Sequence, residues 1–236
     1  MSKYLISFGD ENYSRQKAFF TQTAVMSGFF DSVKISVPED ISPVFAAKVS
    51  SVIQLPKGRG YWLWKPFFIK QVLDSINVND ILMYCDVGCL INPGGKQRFN
   101  EYLDMLNDSD TGTVDFELPH KEYEFTKQEI FQHFECQTNI TDTNQLMATV
   151  LLFRKCQHTM NISDIWYETA RDYPSLFTDD TTLPQNENYV APRHDQSIFS
   201  VIRKQWGANN IPDETYFKDF NRDGQDFPIW ATRLRG

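Results

Sequence analysis

Residues 59–92 read RGYWLWKPFFIKQVLDSINVNDILMYCDVGCLIN: an aromatic and basic cluster from Arg59 to Pro66, a helical stretch to Ile76, then an apolar strand ending in Asp86-Val87-Gly88-Cys89. A carboxylate delivered by the C-terminal end of a buried strand, just after a Lys-bearing aromatic segment, is how an α/β sheet presents a metal or phosphate site. The stretch marks the chain as an enzyme of the α/β class.

Upstream, Lys3 to Gly9 is a β-type run closed by Gly9-Asp10, and Tyr13 to Met26 has helical spacing. A strand from Ser32 to Val37 stops at Pro38, and a helical piece from Val44 to Val52 precedes the Lys57-Gly58-Arg59-Gly60 loop. Helix three runs from about Pro66 to Ile76, with Pro66 in a first turn where its missing N–H costs nothing. The order β-α-β-α-loop-α-β predicts an α/β fold: a mostly parallel, Rossmann-like central sheet flanked by helices, with its ligand edge at the carboxyl ends.

Downstream, Lys96 to Leu106 reads as a helix and Thr113 to Glu117 as a strand. Thr126 to Phe134 reads as a short helix headed by a Thr126-x-x-Glu129 capping box. Leu146 to Arg154 forms a second long apolar strand, and Asn161 to Tyr173 a helix with Ile162, Ile165, Trp166 and Thr169 on one face. Ser175 to Pro192 is a long polar loop, of the kind that often carries function in compact domains. Asp195 to Gln205 is a last helix, and Phe227 to Leu234 a tail that packs back.

With 236 residues and 41 % apolar content, the chain can bury a full core as one domain over 1–236, and no composition shift marks a second. The net charge of −8, without a dense Lys or Arg run, excludes nucleic acid as a partner. Local cations or a bound divalent metal still outweigh that charge within a Debye length of ~8–10 Å, so an anionic small molecule fits. Cys85 and Cys89 suit a core role beside the strand end, and Cys136 and Cys156 lie too far off to complete a zinc pattern. No apolar run reaches the length of a signal peptide or a membrane span, so a cytoplasmic setting is expected and the triplets at Asn12, Asn107, Asn139 and Asn161 are only composition.

Four blocks carry chemistry. Asp86 can hold Mg²⁺ or Mn²⁺ together with substrate phosphates, or cap its turn, while Gly88 admits a close backbone approach. In Tyr61-Trp62-Leu63-Trp64-Lys65, rings can stack on a base or sugar or plug the core, and Lys65 can meet phosphate. Alternation there puts Tyr61 and Leu63 on one side and Trp62 and Trp64 on the other, one set core and one exposed. Arg193-His194-Asp195-Gln196-Ser197 opens a helix, with Asp195 either an N-cap or, with His194 and Gln196, facing the Asp86 edge to handle an acceptor hydroxyl. Asn144-Gln145-Leu146-Met147-Ala148 offers polar then small side chains, a substrate floor.

Taken in order, these blocks, together with Phe125 to Phe131 and the tail Pro228 to Arg233, resemble the small GT-A type nucleotide-sugar glycosyltransferases of bacteria and large DNA viruses that build glycans. The resemblance spans most of the chain. It implies a nucleotide-binding half over about 1–95, an acceptor half over about 96–236, a nucleotide-sugar donor, most commonly UDP-linked, and a glycan or polysaccharide acceptor. By carry-over Asp86 is the metal ligand for Mn²⁺ or Mg²⁺. Phe8, Arg59, Tyr61, Trp64, Lys65, Asp86, Val87 and Gly88 lie at the donor, Gln145, Met147 and Ala148 at the acceptor, and His194, Asp195 and Gln196 beside the reacting sugar carbon. The chain departs from the family pattern at Gly88, where a second carboxylate is expected, and at Trp230, where many members place a metal-binding His. A catalytically silent sugar- or nucleotide-binding protein and a metal-dependent phosphohydrolase are the competing readings.

Overall fold

Alternation along the central strands builds two apolar layers. The computed structural model describes residues 1–234. In β3 (Ile81–Cys85), Leu82 and Tyr84 join one buried cluster, while Ile81, Met83 and Cys85 join the other. Strands β1 (Lys3–Phe8) and β7 (Val150–Arg154) divide in the same way: Ile6, Phe8, Leu151 and Phe153 on the first face, Leu5, Val150 and Leu152 on the second. Side chains of period two feed opposite faces, so a strand apolar at every position needs cover on both.

The helices Trp64–Ser75, Gln157–Asp172 and Asp195–Trp206 cover the first face, with Trp166 stacked on Phe199 at 3.9 Å between ring centroids. The helices Ser14–Ser27 and Lys96–Asp108 cover the second through Phe20, Ala24, Phe99, Tyr102 and Leu106. Each large side chain buried in these layers contributes about 1.5–3 kcal/mol.

The remaining strands are β2 (Ser32–Ser36), β4 (Leu90–Ile91), β5 (Thr113–Lys121), β6 (Asn144–Leu146), β8 (Asn210–Pro212) and β9 (Ile229–Trp230). The main sheet runs β2-β1-β3-β7-β5-β6, with β8 also on β5, while β4 and β9 pair apart. β1 is parallel to β2 and β3, and β8 to β5; β7 opposes β3 and β5, and β6 opposes β5. Five of the seven strands therefore run one way, as the β-α order predicts. The carboxyl ends of β1 and β3 share one edge, which places Phe8-Gly9-Asp10 beside Asp86-Val87-Gly88.

Several local expectations are corrected. The Leu146 to Arg154 strand is two strands, because the chain breaks at 147–149: Met147 N–H donates to Phe116 O, and the Arg203 guanidinium takes the carbonyls of Leu146 and Met147. The Val44 to Val52 helix is interrupted at Val49 into Pro43–Lys48 and Ser50–Ile53. The Thr126–Glu129 capping box does not form. Thr126 Oγ1 donates to Glu122 and Glu129 accepts from Thr182 and Leu183, so the short helix starts at Gln128. The other expected helices stand within a few residues of their predicted limits.

Candidate active site

Lys65 lies in the first turn of the Trp64–Ser75 helix, beneath the sheet edge, with its side chain only 3 % exposed. Its ammonium sits 2.6 Å from Asp195 Oδ2 and 3.3 Å from Asp86 Oδ1, and donates to the Ala148 carbonyl at 3.0 Å. Burial pushes the Lys65 pKa down, but the two carboxylates outweigh it and hold the group charged. Lys65 thus joins the strand-end carboxylate to the helix-end carboxylate, and its charge is spent inside the protein rather than in an open cleft.

Asp86 is not a turn cap. Its backbone carbonyl closes the turn by accepting from Cys89 N–H, while Oδ1 accepts from the Tyr84 hydroxyl at 2.7 Å. Tyr84 precedes it by two residues and so shares its face of the strand. Asp86 is about one-third exposed and Asp195 8 %, so the first meets solvent far more than the second. Burial raises Asp195 to about 6, against the pull of Lys65.

Asp195 is the first helical residue, not the N-cap. That place belongs to His194, whose backbone is strained at φ 53° and ψ −117°. Gln196 accepts from Ala148 N–H at 3.2 Å and donates to Gln145 Oε1 at 2.8 Å; Gln145 in turn donates to Thr126 Oγ1. Both ends of the Gln196 amide are therefore committed to holding the 145–148 segment. Below it, buried Glu122 accepts from Thr126, Ser200 and Lys204, and buried Arg203 pairs with Asp115 at 2.7 Å. Buried ionic groups this well matched fix the chain path more than they add stability.

The Lys57 to Trp62 segment takes a form its sequence does not announce. Gly58, Arg59, Gly60, Tyr61 and Trp62 all have positive φ, a left-handed turn of five residues. For the three non-glycine residues this costs roughly 1–2 kcal/mol each. Gly60 is obligatory: a Cβ there would sit 2.7 Å from the Ile53 backbone. Ties on both sides hold the turn. Arg59 pairs with Glu11 at 2.9 Å and Asp10 at 3.3 Å, while Asp179 accepts from Lys57 at 2.9 Å and from the Tyr61 hydroxyl at 3.1 Å.

This geometry corrects the alternating reading of 61–64. Leu63 and Trp64 are buried and Tyr61 and Trp62 partly exposed, because a turn followed by a helix has no period of two. Trp64 stacks on Phe8 at 3.8 Å and donates its indole N–H to Gly58 O, so both rings belong to the core beneath the edge. His194 lies against Trp62 at 5.3 Å and Tyr61 at 5.0 Å, with Nδ1 3.0 Å from Phe177 O. Burial, with Lys57 nearby, lowers it to about 4, so the ring is neutral at pH 7.

Asp86, Lys65, His194, Asp195 and Gln196 are thus gathered at one place. The side chains of Gln145, Met147 and Ala148 are buried and shape that place from behind, and Val87 packs in the second apolar layer. Gly88 admits a close backbone, but that backbone is the chain's own tail: Leu234 N–H and Thr232 Oγ1 both donate to Gly88 O. Sequence reading missed Tyr84, Asp179 and Lys127. Only Tyr84 left a signal, its spacing of two from Asp86. Lys127 donates to the carbonyls of Ser175, Thr178 and Asp180 and pins the long loop, a contact across about fifty residues that no local pattern encodes.

Among the described residues, no group of three or more His, Cys, Asp or Glu side chains gathers to hold a metal. A divalent ion held mainly by substrate phosphates needs only one or two protein carboxylates. Asp86 fits that lesser demand: it is open to solvent, and its contacts with Tyr84 and Lys65 fall on a single oxygen.

No protein-family model and no curated protein matches the sequence. Solved structures match in shape over nearly the whole chain. A glycosyltransferase involved in the glycosylation of the major capsid of PBCV-1 is 11 % identical, with a TM-score of 0.50 over 98 % of this chain and 94 % of its own. Mouse xyloside xylosyltransferase 1 is 10 % identical, at 0.48 over 98 % of each chain. The galactosyltransferase LgtC with donor and acceptor sugar analogs is 13 % identical, at 0.45 over 96 % and 86 %. The mixed sheet, its helical layers and the first of these likenesses together give the chain the fold of the GT-A type glycosyltransferases.

Proposed function

We propose that this chain is a glycosyltransferase that moves a hexosyl or deoxyhexosyl group from a nucleotide-sugar donor, a UDP-sugar first, to a glycan or polysaccharide acceptor. The observation that carries the reading is the meeting of Asp86 and Asp195 on one buried ammonium, Lys65, at the carboxyl edge of β1 and β3. Asp86 would hold a Mn²⁺ or Mg²⁺ ion shared with the donor diphosphate; when bound, the ion neutralises charge that develops on the leaving group. Asp195, raised to about 6, is suited to accept the proton of an acceptor hydroxyl at neutral pH. Lys65 keeps Asp195 ionised and aimed. Gln196, committed at both ends of its amide, positions the 145–148 segment.

The test is a thermal-shift and hydrolysis screen of UDP-, GDP-, CMP- and dTDP-sugars with and without Mn²⁺. A raised melting temperature with one nucleotide and release of its diphosphate form supports transfer. No shift with any of them removes the reading at its first step. Asp86→Ala is expected to abolish metal-dependent nucleotide binding while the fold stays intact, and unchanged affinity would free Asp86 of that role. Gly88, which supplies no second carboxylate, favours one alternative, a silent binding protein; it predicts tight nucleotide binding with no release of nucleoside diphosphate from any donor.

A further inference from the structure

A cavity of about 530 Å³ opens where β5, β6 and β8 meet, away from Lys65 and Asp195. Glu117, Pro119, Asn144, Asn210, Asp213 and Tyr216 are among its walls. The size suits one or two sugar rings. The lining suits them too: side-chain amides and carboxylates for hydroxyl groups, and one aromatic ring, Tyr216, that is 56 % exposed. Asn144 is already oriented, donating to Glu117 Oε1 at 3.0 Å.

Basic side chains stand beside two of its walls, Tyr216 and Pro119. The Arg233 guanidinium lies 5.6 Å from the Tyr216 ring centroid, and the Arg233 backbone reaches Gly88 beside the Asp86 turn. His120 follows the cavity wall residue Pro119, and its ring stands 5.1 Å from that of Phe125. Over the same Phe125 ring, at 4.2 Å, lies the guanidinium of half-buried Arg193. Neither guanidinium has a carboxylate or carbonyl partner among the described residues. Glu124, the opposing charge that acts on Arg193, gives a carboxylate oxygen to Lys121 N–H.

Burial lowers the Arg193 pKa and the charge of Arg233 lowers it further, against Glu124; burial and both arginines, again against Glu124, lower His120 and favour its neutral ring, which can still donate one hydrogen bond. The charge of Arg233 acts on Arg193 more strongly than the opposing charge of Glu124, and an anion placed between the guanidinium groups relieves the repulsion. In a chain of net charge −8, such a cluster is what draws an acidic substrate in.

We propose that the cavity and the Arg193, Arg233 and His120 cluster form a subsite for an acidic sugar residue of the acceptor glycan. Its ring packs on Tyr216, its hydroxyls meet Asn144 and Asn210, and its carboxylate meets the guanidinium pair. The proposal rests on the glycosyltransferase reading for the word acceptor, but the binding itself is measured without a donor.

The experiment is calorimetric binding to the full chain of three acidic oligosaccharides, a galacturonate, a glucuronate and a sialate oligomer, each beside a neutral oligomer of equal length. UDP with Mn²⁺ is titrated separately. At least one acidic oligomer is expected to bind about tenfold or more tightly than its neutral counterpart, and Arg193→Gln and Arg233→Gln each to lose roughly ten- to a hundredfold of that affinity. Arg193→Lys is expected to keep much of it, which separates charge from folding. Tyr216→Ala is expected to weaken acidic and neutral oligomers alike. No preference for any of the three acidic oligomers overturns the proposal. So does loss of UDP binding in the two Gln variants with the acidic preference intact, which moves the cluster to the donor diphosphate. If UDP does not bind the unaltered chain while the acidic preference holds, the transferase reading falls and the acidic-sugar site stands.

Discussion

Lys65→Met tests the buried pairing at the heart of the site. At 2.6 Å from Asp195 Oδ2, the ammonium attracts that carboxylate by about 6 kcal/mol at an effective dielectric constant of ~20, and desolvation of both groups cancels most of it. Removing one partner leaves the other charge buried and alone, a loss of about 3–5 kcal/mol. In a chain of this size each kcal/mol lowers the melting temperature by about 2–4 °C, so a fall of roughly 6–20 °C is expected. The loss is pH-dependent and its sign follows from Asp195. The folded state raises that carboxyl above its ordinary value, to about 6 with Lys65 present and further without it. Between the unfolded and folded pKa values the native state binds the extra proton, so stability falls as pH rises across that window. In Lys65→Met the window extends above pH 6, and the deficit relative to the unaltered protein grows from pH 6 to 8. Asp195→Asn added to Lys65→Met removes the lone charge, restores about 1–3 kcal/mol and flattens the pH dependence. Urea unfolding of the three proteins at pH 5.5, 7 and 8 measures all of this. A Lys65→Met cost below about 1 kcal/mol at every pH, or a double variant no more stable than Lys65→Met, would refute the reasoning.

Three further outcomes are expected. Turnover rises through about pH 6 as Asp195 loses its proton, and Asp195→Asn lowers turnover far more than donor affinity; equal losses in both would move Asp195 to the donor. Burial opposes ionisation of Glu129, yet the N–H groups of Thr182 and Leu183 and the Gln185 amide hold it down to about 2. Its anchoring of the long loop is therefore present above pH 4.5 and lost as pH falls toward 2, and Glu129→Ala releases the loop at pH 7 at a cost of about 1–3 kcal/mol. Hydrogen exchange at Thr182 and Leu183 reads both, and unchanged protection in the variant contradicts the assignment. Gly60→Ala is expected to destabilise the protein by about 1–3 kcal/mol, since φ is +86° and the new Cβ meets the Ile53 backbone; an unmoved urea midpoint would show that the left-handed turn is dispensable.

The layered sheet was legible because its signals are local. Ile81 to Cys85 is apolar at every position, which declares a strand buried on both faces, and the helices that cover it carry their own spacing and stops. Asp86 at the strand end and Asp195 at a helix start could be named one by one for the same reason. Their junction could not, because Lys65 joins residues 109 positions apart and nothing in either neighbourhood specifies the other.

By itself, then, the sequence determined the order of the main strands and helices, the parallel half of the sheet and the edge where a carboxylate appears, since each depends on residues a few positions apart. Tertiary structure alone decided which of those residues work together. It divided the 146–154 run through Arg203, took Thr126 and Glu129 from their capping box, and wound Gly58 to Trp62 left-handed between Asp10 and Asp179. Each of these choices opposes a local preference by a few kcal/mol at most. Ion pairs and hydrogen bonds between distant segments overcome preferences of that size, and they form only once the chain has folded.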